Sequence, residues 1–324
     1  MLRRLWLALT AVAVASLLAS TTTVAQRTHN QPHKRTFTFY LIPGISTDAF
    51  YTTMHKGAQA AANRLGVHLI FQGAPNAFSA PTQTPFLNGA IARRPDAILI
   101  APTDKVAMIA PIRRAVQAHI PVITVDTYIN APLAVTNISS DNIAGGKKAA
   151  VALANAIGRK GSVAALSVQP GISTTDQRQQ GFEARIRTYP RITYLGTQYD
   201  NDSPTIAASK TSALLIAHSD LAGIFALNTN SGIGVTNAAQ HSGKKVKLVE
   251  FDAEPVEVQA LRQGTISALI AQDPFRIGNL GVTLAYRYVT GKRAGIFKHY
   301  GTGEKIITRA NVNKPGTKEF LYTK

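Results

Sequence analysis

Cysteine is absent from the 324 residues. That excludes disulfide frameworks, cysteine-ligated zinc, thiol catalysis and iron–sulfur clusters together. It also excludes the lipid-modified cysteine of a bacterial lipoprotein, so no lipid anchor is expected. Acids are scarce, with 17 Asp+Glu against 35 Lys+Arg and a formal charge of +18. Such an excess raises nucleic acid, anionic surfaces or an unusual medium as explanations. The basic residues, however, fall in short scattered groups such as Arg93/Arg94, Arg113/Arg114, Lys147/Lys148 and Lys244/Lys245. Zinc-finger, basic-zipper and RNP-like patterns are missing, so nucleic acid is not an expected partner. A basic, soluble surface suited to acidic surroundings is the simpler reading.

Catalytic signatures are missing as well. Gly232-Ile-Gly234 lacks the third glycine of a dinucleotide fingerprint, and Gly145-Gly146-Lys147-Lys148 lacks the upstream glycine of a phosphate loop. Nucleophile-elbow, zincin and acidic calcium-loop patterns do not occur. The 8 histidines are scattered without ligand spacing. Neither a cofactor nor a metal is expected.

What remains is globular: 45% hydrophobic residues, 24 Gly and 16 Pro, in a chain long enough for two domains. Residues 1–25 read as a secretory signal. Arg3 and Arg4 precede an apolar run from Leu5 to Ala19, and Thr23-Val24-Ala25 offers a cleavage site before Gln26. Cleavage would remove two positive charges, no acid, and Trp6, the only tryptophan. A second long apolar run does not follow, so an exported, periplasmic protein is expected.

From Thr36 onward apolar runs alternate with amphipathic stretches. Strands are expected at 36–42, 67–71, 97–101, 121–125 and 134–138, with helices at 49–65, 80–93 and 106–118 between them. After Ser140 the beat restarts. Helices are expected at 141–157, 174–188, 205–217, 234–241, 254–263 and 275–289, with strands at 162–166, 192–195, 221–227, 246–251, 266–271 and 306–308. This predicts α/β architecture with two doubly wound parallel sheets. Asp126, Asn228, Asp252 and Gln272 each stand at the carboxyl end of an apolar strand. Ligands of open α/β sheets bind outside those ends, so four such side chains suggest a polar ligand cage. Asp126 and Asp252 could also be the paired carboxylates of an exported glycosidase.

The order and spacing of several segments resemble the ribose-type periplasmic sugar-binding proteins, the substrate-binding components of ABC sugar importers with the type I periplasmic binding protein fold. The segments are Asp48-Ala-Phe-Tyr51, Ala101-Pro-Thr-Asp104, Ile120-Pro-Val-Ile-Thr-Val-Asp126, Ser140-Asp-Asn-Ile-Ala-Gly-Gly146, Arg178-Gln-Gln-Gly-Phe182, Ile224-Phe-Ala-Leu-Asn228, Val249-Glu-Phe-Asp252 and Ala271-Gln-Asp-Pro274. The resemblance implies two domains joined by a three-strand hinge, residues 36–139 with 273–300 and residues 140–272 with 301–324. It implies capture of a monosaccharide or related polyol by hinge closure, and delivery to a membrane ABC permease. A chemoreceptor could read the same surface, and a monomer is expected. Ligand residues carry over onto Asp48, Phe50, Tyr51, Asp126, Arg178, Asn228, Asp252 and Gln272, with Asn201 in a loop that aligns less well. Sugars offer a C–H face to aromatic rings and a hydroxyl rim to carboxylates and guanidinium. Two positions depart from the ribose pattern. Ala101 stands where an Asn is common, and Thr127 where an Arg is. Both changes remove donors, so ribose itself is not implied.

Overall fold

The computed structural model describes residues Arg35 to Tyr322. The signal-peptide reading of residues 1–25 lies outside the described residues. Strand and helix alternate through the first half of the chain: β1 (Phe37–Ile42), α1 (Ala49–Leu65), β2 (Val67–Phe71), α2 (Ala80–Ala92), β3 (Ala97–Ile100), α3 (Ile109–Gln117), β4 (Val122–Val125) and β5 (Thr136–Ser139). The second half repeats the pattern with α4 (Asn142–Ala156), β6 (Gly161–Ser167), α5 (Ser173–Ile186), β7 (Ile192–Tyr199), α6 (Pro204–Ala217), β8 (Leu221–Ala226), α7 (Thr229–His241), β9 (Lys247–Phe251), α8 (Pro255–Gln263) and β10 (Ile266–Gln272). Then come α9 (Pro274–Val289), β11 (His299–Gly301), β12 (Glu304–Ile307) and a 3-10 turn at Lys318–Phe320.

The strands form two six-stranded sheets, ordered β11-β5-β4-β3-β1-β2 and β12-β10-β9-β8-β6-β7. Every pairing is parallel except β10 with β12. Both faces of such sheets are covered, which is why β3 and β4 are apolar or threonine at every position and wholly buried. Alternate residues of β1 serve opposite faces. Phe39 and Leu41 pack with Met54 and Ala58 of α1, while Tyr40 and Ile42 pack with Leu87 of α2 and Ile112 of α3. Helix α1 starts where the Asp48 carboxylate accepts from Phe50 N at 2.7 Å, and ends at Gly66 with φ 69°.

Three chain crossings join the sheets: β5 into α4, β10 into α9, and β11 into β12. Helix α9, though it follows a strand of the second sheet, packs on β3, β4 and β5 of the first and against α1. Glycine makes that last contact possible: a Cβ on Gly278 would lie 2.0 Å from Met54 O. The second domain uses the same device at α4 and α5, where a Cβ on Gly146 would lie 2.1 Å from Arg178 O.

Three boundaries and one short strand depart most from expectation. Helix α3 starts at Ile109, because Asp104 first holds the preceding turn by accepting from Val106 N and Ala107 N. Strand β7 continues to Tyr199 through a register shift opposite β6. Helix α7 begins at Thr229 rather than Gly234. Gly232 and Gly234 act there as close-packing positions within the helix, against the Glu250 carboxylate and Pro204 O. The three-residue β11 carries no apolar alternation and was not anticipated.

Candidate functional site

In each sheet the strand order reverses beside the first strand, between β1 and β3 in one and between β6 and β8 in the other. The carboxyl ends at the two reversals face one another across the gap between the domains. A cavity of about 70 Å³ lies there. Its walls include Asp48, Phe50, Tyr51 and Asp126 from the first domain, and Arg178, Asn228, Asp252 and Gln272 from the second and its crossing strand. Eight of the nine residues singled out from the sequence therefore meet in one place.

The ninth does not. Asn201 is exposed, with φ 55°, and its backbone N donates to Val168 O at 2.8 Å. That left-handed turn points the following residue inward, so Asp202 lines the cavity in its place. Asp202 accepts from Asn228 Nδ2 at 2.8 Å, and its backbone N donates to Asp200 Oδ1 at 2.9 Å.

Asp126 and Asp252 occupy equivalent places. Each follows a strand, has its N–H bonded to the next strand (Ile138 O at 2.8 Å and Ile270 O at 3.0 Å), and holds a left-handed backbone, φ 62° and 91°. Such a conformation costs about 1–3 kcal/mol for a residue other than glycine. Their surroundings then set the carboxylates. Asp126 accepts from the Tyr51 hydroxyl at 2.9 Å. Asp252 accepts from Gln272 Nε2 at 2.7 Å and the Tyr322 hydroxyl at 2.9 Å.

Arg178 is 3% exposed and multiply held. Its Nε donates to Asn142 Oδ1 at 2.9 Å, its Nη1 donates to Leu227 O at 2.8 Å and lies 3.7 Å from Asp252 Oδ2, and the guanidinium sits 3.7 Å over the Phe251 ring. Phe50 and Tyr51 meet edge to face, centroids 5.1 Å apart, and Phe50 meets Tyr322 similarly at 5.6 Å. Burial pushes the Asp126 carboxyl up to about 6, against the pull of Arg178 and the Tyr51 hydrogen bond. Burial and the neighbouring Glu254 and Asp252 raise Asp48 well above the carboxylate range. Burial likewise raises Asp202.

Gln272 is 1% exposed, and its Oε1 has no hydrogen-bond partner among the described residues. With four carboxylates and one guanidinium around it, the cavity is rich in acceptors. It suits a small ligand carrying many hydroxyl donors and one apolar face. Ala101 and Thr127 are buried beside the site without lining the cavity. Among the described residues, no cluster of histidine and carboxylates could hold a metal ion.

A model of the periplasmic binding protein domain matches residues 39–293. The chain belongs to the periplasmic binding protein family. The binding protein is 32% identical to the ribose import binding protein of Haemophilus influenzae over 75% of this chain and 82% of that one. A solute-binding protein of an ABC transporter from Agrobacterium vitis, solved with α-D-tagatopyranose, is 45% identical with a TM-score of 0.86, covering 89% of this chain and all of that one. A carbohydrate-transporter solute-binding protein from Agrobacterium radiobacter, in complex with D-arabinose, is 28% identical with a TM-score of 0.84, covering 89% and 99%. The two α/β domains with parallel sheets match these neighbours. The family and these relatives are transport binding proteins, so the glycosidase reading of Asp126 and Asp252 finds no support and the binding protein is not an enzyme.

Tyr322 was missed by sequence reasoning. Its hydroxyl donates to Asp252 and accepts from Gln272 N at 3.1 Å, while its backbone N donates to Ala253 O at 3.1 Å. The terminal segment thus returns under the cavity to order two of its walls. A lone tyrosine in an irregular tail gives no periodic signal. Asp202 stood next to a residue that was singled out, and only the turn geometry separates the two.

Proposed function

We propose that this is the exported sugar-capturing component of an ABC importer. A single monosaccharide or related polyol enters between the domains, and the closed form is delivered to a membrane permease. The observation that carries this is the cavity itself, where paired carboxylates, an anchored guanidinium and an aromatic pair converge at the switch points of two separate sheets. The division into domains 36–139 with 273–300 and 140–272 with 301–324 belongs to this reading, and the packing of α9 on the first sheet supports it.

Within the cavity, Asp126 and Asp252 accept from ligand hydroxyls, Arg178 and Asn228 donate, and Phe50 and Tyr51 cover a C–H face. Asp48, Asp202 and Gln272 add acceptors to the cavity wall. Hydrogen bonds to charged groups contribute about 1.5–3 kcal/mol each, so a few of them carry micromolar binding, about −8 kcal/mol. Because the ligand bridges both domains, it favours the closed state by its extra contacts there. The protein acts as a monomer, free of a lipid anchor, and a chemoreceptor can read the same closed surface.

The test is a dye-monitored melt of residues 26–324 against pentoses, aldohexoses, ketohexoses, deoxy-sugars and cyclitols. One or a few of these should raise the melting temperature in a saturable way. No shift with any member of the panel, including D-tagatose, D-arabinose and D-ribose, would overturn the reading.

A further inference from the structure

We propose that Lys105 and Asp176 form a clasp at the rim of the cleft that sets ligand affinity without touching the ligand. The inference rests on the cleft-binding reading above, and it concerns residues to which that reading gives no role. Lys105 lies in the loop after β3 of the first domain, and Asp176 in the first turn of α5 of the second. Lys105 Nζ lies 2.5 Å from Asp176 Oδ2, and both side chains are 28% exposed. Neither residue lines the cavity.

The pair is built in on both sides. Lys105 N donates to Gly171 O across the cleft at 3.0 Å, while Lys105 O accepts from Asn130 N within its own domain at 2.8 Å. Asp176 accepts from Gly171 N at 3.2 Å, which fixes the carboxylate to its own loop. Beside it, Tyr128 N donates to Ser173 Oγ at 3.0 Å and Gln177 Nε2 donates to the Tyr128 hydroxyl at 3.3 Å. These cross-cleft bonds need the domains together and need no ligand.

Deeper in the cleft Ala49 N of the first domain donates to Glu254 Oε1 of the second at 3.2 Å, and the clasp adds a charged contact at the rim. Since apparent affinity scales with the fraction of molecules in the competent closed state, a contact present only when closed multiplies affinity for every ligand alike. A partly exposed ion pair of this kind is expected to change affinity by about two- to fivefold. Its loss should appear in the dissociation rate, because release requires opening and first encounter does not.

The experiment compares the parent protein, Lys105→Glu, Asp176→Lys and the double exchange. Small-angle scattering of the ligand-free proteins reads the closed fraction directly. Titration and stopped-flow displacement with D-tagatose read affinity and dissociation. Each single variant should be more open, bind about two- to fivefold more weakly through faster dissociation, and leave the ratio between sugars unchanged. The double exchange should restore both readouts in part, since Gly171 N loses its acceptor at position 176 in that variant too. Scattering that is identical in parent and single variants, or a double exchange that restores nothing, overturns the clasp. If D-tagatose binds none of the four proteins, the sugar reading loses that ligand while the scattering comparison still decides the clasp.

Discussion

Replacing Arg178 with methionine removes the guanidinium while keeping most of the side-chain volume. Two buried acceptors, Asn142 Oδ1 and Leu227 O, lose their donor, and Asp252 loses its ion-pair partner. An orphaned buried acceptor costs about 1–3 kcal/mol, and breaking a buried charge pair from one side costs about 3–5 kcal/mol. These terms overlap, since the same guanidinium serves all three groups, so a total of about 4 kcal/mol is expected. At roughly 2–4 °C per kcal/mol, the ligand-free protein should melt about 10 °C lower. Scanning calorimetry of parent and variant, without sugar, measures this. Arg178→Lys should restore the charge but not the three-way geometry, and should recover only part of the loss. A methionine variant that melts within about 2 °C of the parent would refute the reasoning, since Arg178 would then be no structural keystone of the second domain.

The remaining predictions concern the pocket wall, the helix packing and pH. Asp202→Ala should weaken sugar binding by about tenfold or more, the loss of one charge-assisted hydrogen bond, whereas Asn201→Ala should leave titration curves unchanged; the reverse pattern would put Asn201, not Asp202, against the sugar. Gly278→Ala should lower stability by about 1–3 kcal/mol in denaturant titration, because its Cβ meets Met54 O at the α1–α9 crossing. Stability should rise as pH falls from 8 towards 5. Burial raises Asp126 and Asp200 to about 6 and raises Asp48, Glu250 and Glu257 as well. The folded state then binds more protons than the unfolded chain, so stability is gained below the folded values and lost as pH rises through them. Melting temperatures at pH 8, 6 and 5 check the sign, and a steady fall towards pH 5 would contradict it.

Much of the fold was legible because parallel strands buried on both faces must be apolar at nearly every position. Ala97-Ile-Leu-Ile100 and Val122-Ile-Thr-Val125 announce themselves in that way. A polar residue directly after such a run, as at Asp126, Asn228 and Asp252, is equally visible, and ligands of doubly wound sheets bind outside those strand ends. The pocket was legible for this reason. What could not be read were features decided by turns and by close packing. Whether Asn201 or Asp202 faces the cavity depends on two successive left-handed residues. Helix α7 begins at Thr229 rather than the expected Gly234, and Gly232 and Gly234 lie within it where a neighbouring carboxylate and backbone leave no room for a side chain, a packing reason that the sequence does not display. Tyr322 and the Lys105–Asp176 pair each join distant segments, and no periodicity foretells such contacts.

Calorimetric titration of residues 26–324 and of the Asp252→Asn variant, against the sugar that most raises the melting temperature, tests the central claim most directly. The expected result is one site per chain with micromolar affinity in the parent, and at least tenfold weaker binding in the variant, which keeps the shape but not the charge of the acceptor. Equal affinity in the two proteins would contradict capture between Asp126 and Asp252, and would place the ligand elsewhere than in the cleft between the sheets.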